Sequence, residues 1–300
     1  MGGSVGAMAD QLCLMTVHAH PDDEASKGAG TVARYHAEGV RTVLVTCTGG
    51  EEGDILNPAM DTPEVRADLA GVRRRELDAA ARAIGYDVVE LLGYRDSGMA
   101  GSEANADPRS FAAAPLDEAV GRLVAVIRRE RPQVIVTYDE EQSAYPHPDH
   151  LRVHEVTVAA FEAAGDPDAY PASGEPYQPL KLYYSVWAVE QFLLRHEKFL
   201  ELGLESPYAE RIADGWFKDR MPSRDATTNV DVTGFADARR EGLLAHATQI
   251  DPSSPFWFGL PIEAEREIHC YDPYVLARSH AGALVPEDDL FAGVRATVAG

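Results

Sequence analysis

Lysine is almost missing from this 300-residue chain. It occurs only at positions 27, 181, 198 and 218, and Lys and Arg together number 27 against 49 Asp and Glu. The formal net charge is -22 and the sequence pI about 4.7. No basic stripe exists to neutralise phosphates, which argues against nucleic acid and an anionic membrane surface as partners. Cysteine is scarce as well. Cys13, Cys47 and Cys270 are odd in number, and no two have the spacing of a zinc ribbon or a redox pair. Cys13 and Cys47 fall in apolar runs and read as small buried hydrophobes, so a reducing cytoplasm is the expected location. No apolar run approaches the length of a membrane span. No Lys or Arg precedes Lys27, so the first residues lack the charged start of a secretion signal. Met1 to Asp10 reads as a disordered leader.

What is present is a globular composition, 45% hydrophobic and 25% charged, enough for a full core. The first half alternates strand and helix. Strands are expected over Leu12–Val17, Thr42–Thr48, Val88–Leu92 and Val134–Tyr138, from short apolar or β-branched runs. Helices are expected over Ala25–Glu38, Pro63–Ile84, Leu116–Arg131 and Leu151–Ala164, with Gly39 and Gly85 as stops. Strands separated by helices imply parallel pairing and an α/β sheet. After Gly165 the pattern loosens. Leu182–Val186 and Thr228–Val232 read as strands, Val189–Leu202 and Phe235–Ala247 as helices, and Asp251–Pro261 as an ordered loop. One domain over 11–300 is expected, with a core over 11–165 and a C-terminal α+β elaboration over 166–300.

Two segments carry chemistry. His18-Ala19-His20-Pro21-Asp22-Asp23-Glu24 follows the first strand, and His147-Pro148-Asp149-His150 follows the fourth. In a parallel sheet both emerge at the carboxyl ends of strands, where open α/β sheets place ligands. Two His-Pro-Asp segments at two strand ends point to a metal site. A catalytic zinc commonly takes three His or carboxylate ligands and keeps one position open. His20 and Asp23, three apart across a helix start, can face one point, and His150 would complete the set. Asp22 between them must point elsewhere. His154, four residues beyond His150, is a rival ligand; His18 reads as structural. His36, His196, His246, His269 and His280 have no partner motif.

These residues resemble the paired signatures of the LmbE-like, PIG-L-type de-N-acetylases, from about Leu14 to Val294. The resemblance implies a Rossmann-like fold, one Zn2+ per chain (Fe2+ also fits), and hydrolysis of N-acyl groups on glucosamine derivatives. It implies His20, Asp23 and His150 as ligands and Asp22 as general base. His147 would stabilise the oxyanion or protonate the leaving amine, Tyr145 would donate to the oxyanion, and Asp149 would hold His147. Arg73, Glu51 and Asp96 match sugar contacts. Thr48-Gly49-Gly50-Glu51-Glu52-Gly53-Asp54-Ile55-Leu56-Asn57-Pro58-Ala59-Met60-Asp61, Lys27 in Ser26-Lys27-Gly28, His246-Ala247-Thr248-Gln249-Ile250-Asp251-Pro252 and Pro286-Glu287-Asp288-Asp289-Leu290-Phe291 look like the amidase branch that acts on mycothiol S-conjugates. Lys27 would then meet the acyl part of a sugar-thiol substrate. Arg95-Asp96-Ser97-Gly98-Met99-Ala100-Gly101 looks instead like the branch that deacetylates N-acetylglucosaminyl inositol.

Two rival readings differ in class. The Gly49–Gly53 turn has the look of a nucleotide-binding loop, but its spacing misses the dinucleotide fingerprint and its two carboxylates would repel a pyrophosphate. A silent sugar-binding protein would have no need of intact Asp22, Asp23 and His147.

Overall fold

The computed structural model describes residues 11–141, 145–217, 226–282 and 285–295; the leader expected over Met1 to Asp10 lies outside them. All six residues of β1 (Cys13–His18) are buried. Strand periodicity sends alternate side chains to opposite faces. Cys13, Met15 and Val17 join one core and Leu14 the other. The same alternation recurs in β2 (Arg41–Thr48), where Val43, Val45 and Cys47 face the first core and Leu44 the second.

The helices cover both faces, as a parallel sheet requires. In the first half α1 (Asp23–Ser26), α2 (Ala29–Ala37), α3 (Pro63–Ala67) and α4 (Leu69–Ile84) precede β3 (Val88–Tyr94). Then come α5 (Leu116–Glu130), β4 (Val134–Thr137) and α6 (Pro148–Ala163). The second half holds β5 (Lys181–Ser185), α7 (Val189–Glu201), α8 (Ala209–Ala213), β6 (Thr228–Asp231), α9 (Ala236–Ala245), α10 (Pro255–Phe258), α11 (Ile262–Ile268) and β7 (Tyr271–Ser279). Leu123, Ile127, Val153 and Phe161 from α5 and α6 pack on one face of the sheet. Val32, Tyr35, Leu77, Ile84 and Leu243 from α2, α4 and α9 pack on the other. No helix is long and apolar enough to cross a membrane among the described residues.

The sheet has seven strands in the order β3-β2-β1-β4-β5-β7-β6. The first five pair in parallel. β7 runs antiparallel to both β5 and β6. This is a mostly parallel α/β sheet, and its strand order reverses between β1 and β4, which is where such sheets open a crevice.

Four local expectations need correction. The helix over Ala25–Glu38 is broken: Lys27 is extended and Gly28 has φ +85°. A Cβ on Gly28 would lie 2.6 Å from the Tyr274 hydroxyl oxygen, so glycine and the break go together. The helix over Pro63–Ile84 is interrupted at Asp68, which leaves helical geometry between α3 and α4. Asp251–Pro261 contains the short α10, and α11 and β7 were not expected at all. Pro273 disguises β7, since proline inside a run argues against a strand. It lies beyond the β5 ladder, which ends at Tyr274, and sits opposite Asn229 within the β6 ladder, which continues past it.

Candidate metal centre and active site

Four loops that follow parallel strands meet at the carboxyl edge of the sheet. The loop after β1 brings His20 to Asp23, the loop after β2 brings Glu51, the end of β3 brings Asp96, and the start of α6 brings His147 to His150. Helix α6 begins at Pro148, not at Leu151. His147 is its N-cap, and the His147 Nδ1 accepts the Asp149 backbone N–H at 3.2 Å. That leaves a neutral His147 with its proton on Nε2.

The turn at Asp22 is held from several sides. Asp22 has φ +113°, a conformation that costs a non-glycine residue about 1–3 kcal/mol unless its surroundings impose it. Its N–H donates to Glu24 Oε2 at 2.9 Å. Glu24 is fully buried and accepts from His246 Nε2 at 2.5 Å. Arg73 Nη2 donates to the Pro21 carbonyl at 2.6 Å and to Asp22 Oδ2 at 3.0 Å, and its Nη1 donates to the Gly50 carbonyl at 2.6 Å. The Asp22 carboxylate is thereby separated from that of Asp23. Burial pushes the pKa of Asp22 up, against the pull of Arg73.

Arg73 also explains the glycine-rich turn. A Cβ on Gly50 would overlap the guanidinium, and one on Gly53 would lie 2.5 Å from Nη1. The glycines admit an arginine. Of the three consecutive arginines, Arg73 is the buried one at 2% exposure, while Arg74 and Arg75 pair with Asp78 and Asp68 near the surface. Arg73 was expected to meet a sugar; its Nη1 and Nη2 donors instead go to Asp22 and to the backbone beneath it.

His20, Asp23 and His150 come together with donor atoms within 4.8 Å of one another, and all three are buried. Asp23 Oδ2 lies 3.5 Å from His20 Nδ1, and Asp23 Oδ1 lies 3.5 Å from His150 Nε2. Burial pulls the His150 pKa down to about 4, so it is a neutral imidazole with a lone pair to offer. Burial opposes ionisation of Asp23, but Lys27 and His150 outweigh it and hold the carboxyl well below the usual range. His20 is ringed by carboxylates: Asp149 at 3.2 Å and Asp96 and Asp23 at 3.5 Å. Burial disfavours its protonation, yet those carboxylates raise its pKa well above normal. So much negative charge around one imidazole is a site that attracts a cation, and two imidazoles with a carboxylate suit a divalent ion.

His147 and Asp149 form a second possible set with His20, but Asp149 is already engaged. It accepts from the Ser97 N–H at 2.9 Å, from the Ser97 hydroxyl, and from His20 Nε2. Asp149 was expected to hold His147 through its carboxylate. It does so through its backbone N–H, and the carboxylate orients His20. His154 turns away: its Nδ1 contacts the Tyr138 carbonyl at 3.0 Å and its ring packs on Tyr184, so it joins no ligand set among the described residues. His18 is buried and neutral, its pKa lowered by burial to about 4, with Nδ1 against the Tyr138 hydroxyl.

The remaining expected residues surround this centre. The His147 ring meets His20 edge-on at 4.5 Å, and the exposed Tyr145 ring stacks 5.8 Å from His147. Asp96 is buried; its Oδ1 accepts from Gly98 N–H at 2.9 Å and its own N–H donates to Glu51 Oε2 at 3.0 Å. Lys27 Nζ donates to Asp23 Oδ1 at 2.5 Å and to Ser26 Oγ at 3.3 Å, and lies near the Tyr138 and Trp187 rings. Ser97, Glu24 and His246 were not among the expected site residues. Their partners are 52 and 222 positions away, so the segments that contain them do not reveal the pairing.

Residues 15–161 match the family model for GlcNAc-PI de-N-acetylase, PIG-L. The chain is 46% identical over 294 residues to the mycothiol S-conjugate amidase of Streptomyces coelicolor, covering 96% of this chain and 99% of that one. The chain belongs to the PIG-L family. Another relative in it, the 1D-myo-inositol 2-acetamido-2-deoxy-alpha-D-glucopyranoside deacetylase of Streptomyces avermitilis, is 42% identical, with 94% and 97% of the two chains covered. The N,N'-diacetylchitobiose deacetylase of Pyrococcus horikoshii shares the fold, with a TM-score of 0.60 at 16% identity over 88% of this chain and 83% of that one. As a PIG-L family member the chain is a metal-dependent hydrolase of an amide C–N bond, and the His and Asp cluster is where a metal would be held.

Proposed function

We propose that the protein is a zinc-dependent amidase that cleaves the amide between glucosamine and the N-acyl cysteine of mycothiol S-conjugates. The products are a mercapturic acid and glucosaminyl inositol. The observation that carries this reading is Lys27, which donates to the carboxylate of Asp23 and lines an aromatic cavity beside it. Likeness to the amidase over nearly the whole chain supports it. A cytoplasmic setting suits the three free cysteines.

His20, Asp23 and His150 would hold the ion. Bound there, it supplies a Lewis acid for the amide carbonyl and brings water to a pKa of about 7. Asp22 accepts the proton of the attacking water. Its carboxylate is kept apart from Asp23 by Arg73 and the Asp22 turn. His147 presents Nε2–H to the developing oxyanion, or passes a proton to the amine nitrogen as the C–N bond breaks. Tyr145, beside His147, is placed to donate a second hydrogen bond. Asp96 and Glu51 are the carboxylates available to sugar hydroxyls, and Arg73 positions Asp22.

Deacetylation of N-acetylglucosaminyl inositol is the second reading, favoured by the Arg95–Gly101 stretch, which sets Asp96 beside His20. Purified enzyme is compared on both substrates by amine release. The amidase reading expects the larger kcat/KM on the mycothiol conjugate. Lys27→Ala is expected to lower that value about tenfold or more, the worth of a charge-assisted hydrogen bond, and, because Lys27 also pairs with the carboxylate of Asp23, to lower deacetylation by a smaller factor. A larger kcat/KM on the acetyl substrate would reverse the assignment.

A further inference from the structure

Beyond Lys27 the fold encloses a cavity of about 60 Å³. Apart from Ser26, Lys27 and Gly28, its walls come from the second half of the chain. Trp187 follows β5, Phe192 lies on α7, and Phe256 and Trp257 lie on α10. Such walls suit an apolar or thioether group, since sulfur packs well against aromatic rings. Arg239, on α9, also lines the cavity.

Arg239 has no carboxylate partner within hydrogen-bonding or ion-pair distance among the described residues, while the acids near it are already matched. Glu265 accepts from Arg195 at 2.7 Å. Asp272 accepts the Thr31 N–H at 2.9 Å and hydroxyl at 2.8 Å and faces His269 at 3.2 Å. Lys27 and Arg195, which also line the cavity, are matched by Asp23 and Glu265. Burial and then the Arg195 charge pull the Arg239 pKa down to about 10, as expected for a cation short of counter-charge. A half-buried guanidinium that lies over the Trp257 ring and has no carboxylate partner among the described residues is complementary to a ligand that is apolar along its length and anionic at its end.

We infer that this cavity is an acyl-side subsite, reached past Lys27, that takes a short thioether arm ending in a carboxylate, with Arg239 as its counter-charge. The inference rests on the amidase reading, because the arm is the sulfur substituent of the acyl cysteine. Two isosteric conjugates that differ only in charge test it: S-carboxymethyl and S-carbamidomethyl. The wild type is expected to favour the carboxymethyl conjugate in kcat/KM. Arg239→Met is expected to reduce the ratio of carboxymethyl to carbamidomethyl roughly tenfold or more, and Arg239→Lys to restore part of it. Equal losses on both conjugates, or an unchanged ratio, would overturn the subsite.

Binding separates this result from the catalytic reading. The probe is N-acetyl-S-carboxymethylcysteine amide, whose single carboxylate is that of the arm, followed by the fluorescence of Trp187 and Trp257 in chelator-treated enzyme. Saturable binding in the wild type that is lost in Arg239→Met would uphold the subsite even if no amide were cleaved. Turnover of both conjugates without charge preference, and without probe binding, would sink it and leave the amidase reading intact.

Discussion

At the scale of single residues the site depends on two adjacent carboxylates being made different. Asp23 faces the two imidazoles, whereas Asp22 sits in a positive-φ turn held by Glu24 and Arg73. Asparagine tolerates that backbone region better than most residues, so Asp22→Asn is expected to keep the turn and the metal. It cannot accept a proton, and turnover should fall by about 10²–10⁴-fold, the usual contribution of a general base. Metal content and kcat measured on the same preparation check this; a metal-loaded Asp22→Asn enzyme with near-normal kcat would place the base elsewhere. The meeting of His20, Asp23 and His150 was legible in the sequence because each half is a short segment fixed by one strand end. The carboxylate role of Asp149 and the Glu24–His246 pair were not legible, because each depends on a partner that only the tertiary fold brings near.

At the scale of elements, the break between α1 and α2 lets Lys27 reach both Asp23 and the cavity. A continuous helix would turn that side chain along the helix surface. Gly28 makes the break possible, at φ +85° and with the Tyr274 hydroxyl where a Cβ would be. Gly28→Ala is expected to destabilise the protein by about 1–3 kcal/mol. Tyr274→Phe, which removes the obstructing oxygen, should relieve the steric part of that cost. Denaturant melts of the single and double variants measure it, and an unchanged midpoint in Gly28→Ala would refute the steric argument. The helical periodicity of Ala25–Glu38 hid this break, since Val32 and Tyr35 continue the same buried face after it. The strand β7 was hidden for the opposite reason: Pro273 signals a break where the ladder in fact survives.

At the scale of the molecule, the strands after residue 165 extend the same sheet that carries the site. β5 pairs in parallel with β4, and the buried Lys181 on β5 is tied to the C-terminal segment. Its Nζ donates to Glu287 Oε1 at 2.7 Å, and the Tyr183 hydroxyl donates to Glu287 Oε2 at 2.6 Å. Lys181→Met would strand a buried carboxylate, and a loss of about 3–5 kcal/mol is expected. Adding Glu287→Gln should recover much of it; a double variant no more stable than Lys181→Met would show that the lysine acts through packing. The first-half alternation of strand and helix was readable from apolar periodicity. In the second half β5, α7, β6 and α9 were readable too; α8, α10, α11 and β7 were not, because short helices and a proline-bearing strand take their order from the sheet they join.

The central claim is that one divalent ion at His20, Asp23 and His150 drives amide hydrolysis. Chelator-treated enzyme is titrated with Zn2+ while bound metal and amine release from a mycothiol S-conjugate are measured together, for the wild type and His150→Ala. Activity is expected to rise in step with occupancy to about one ion per chain, with His150→Ala neither binding the ion tightly nor turning over. Full activity in the metal-free wild type, or full occupancy and turnover in His150→Ala, would contradict it.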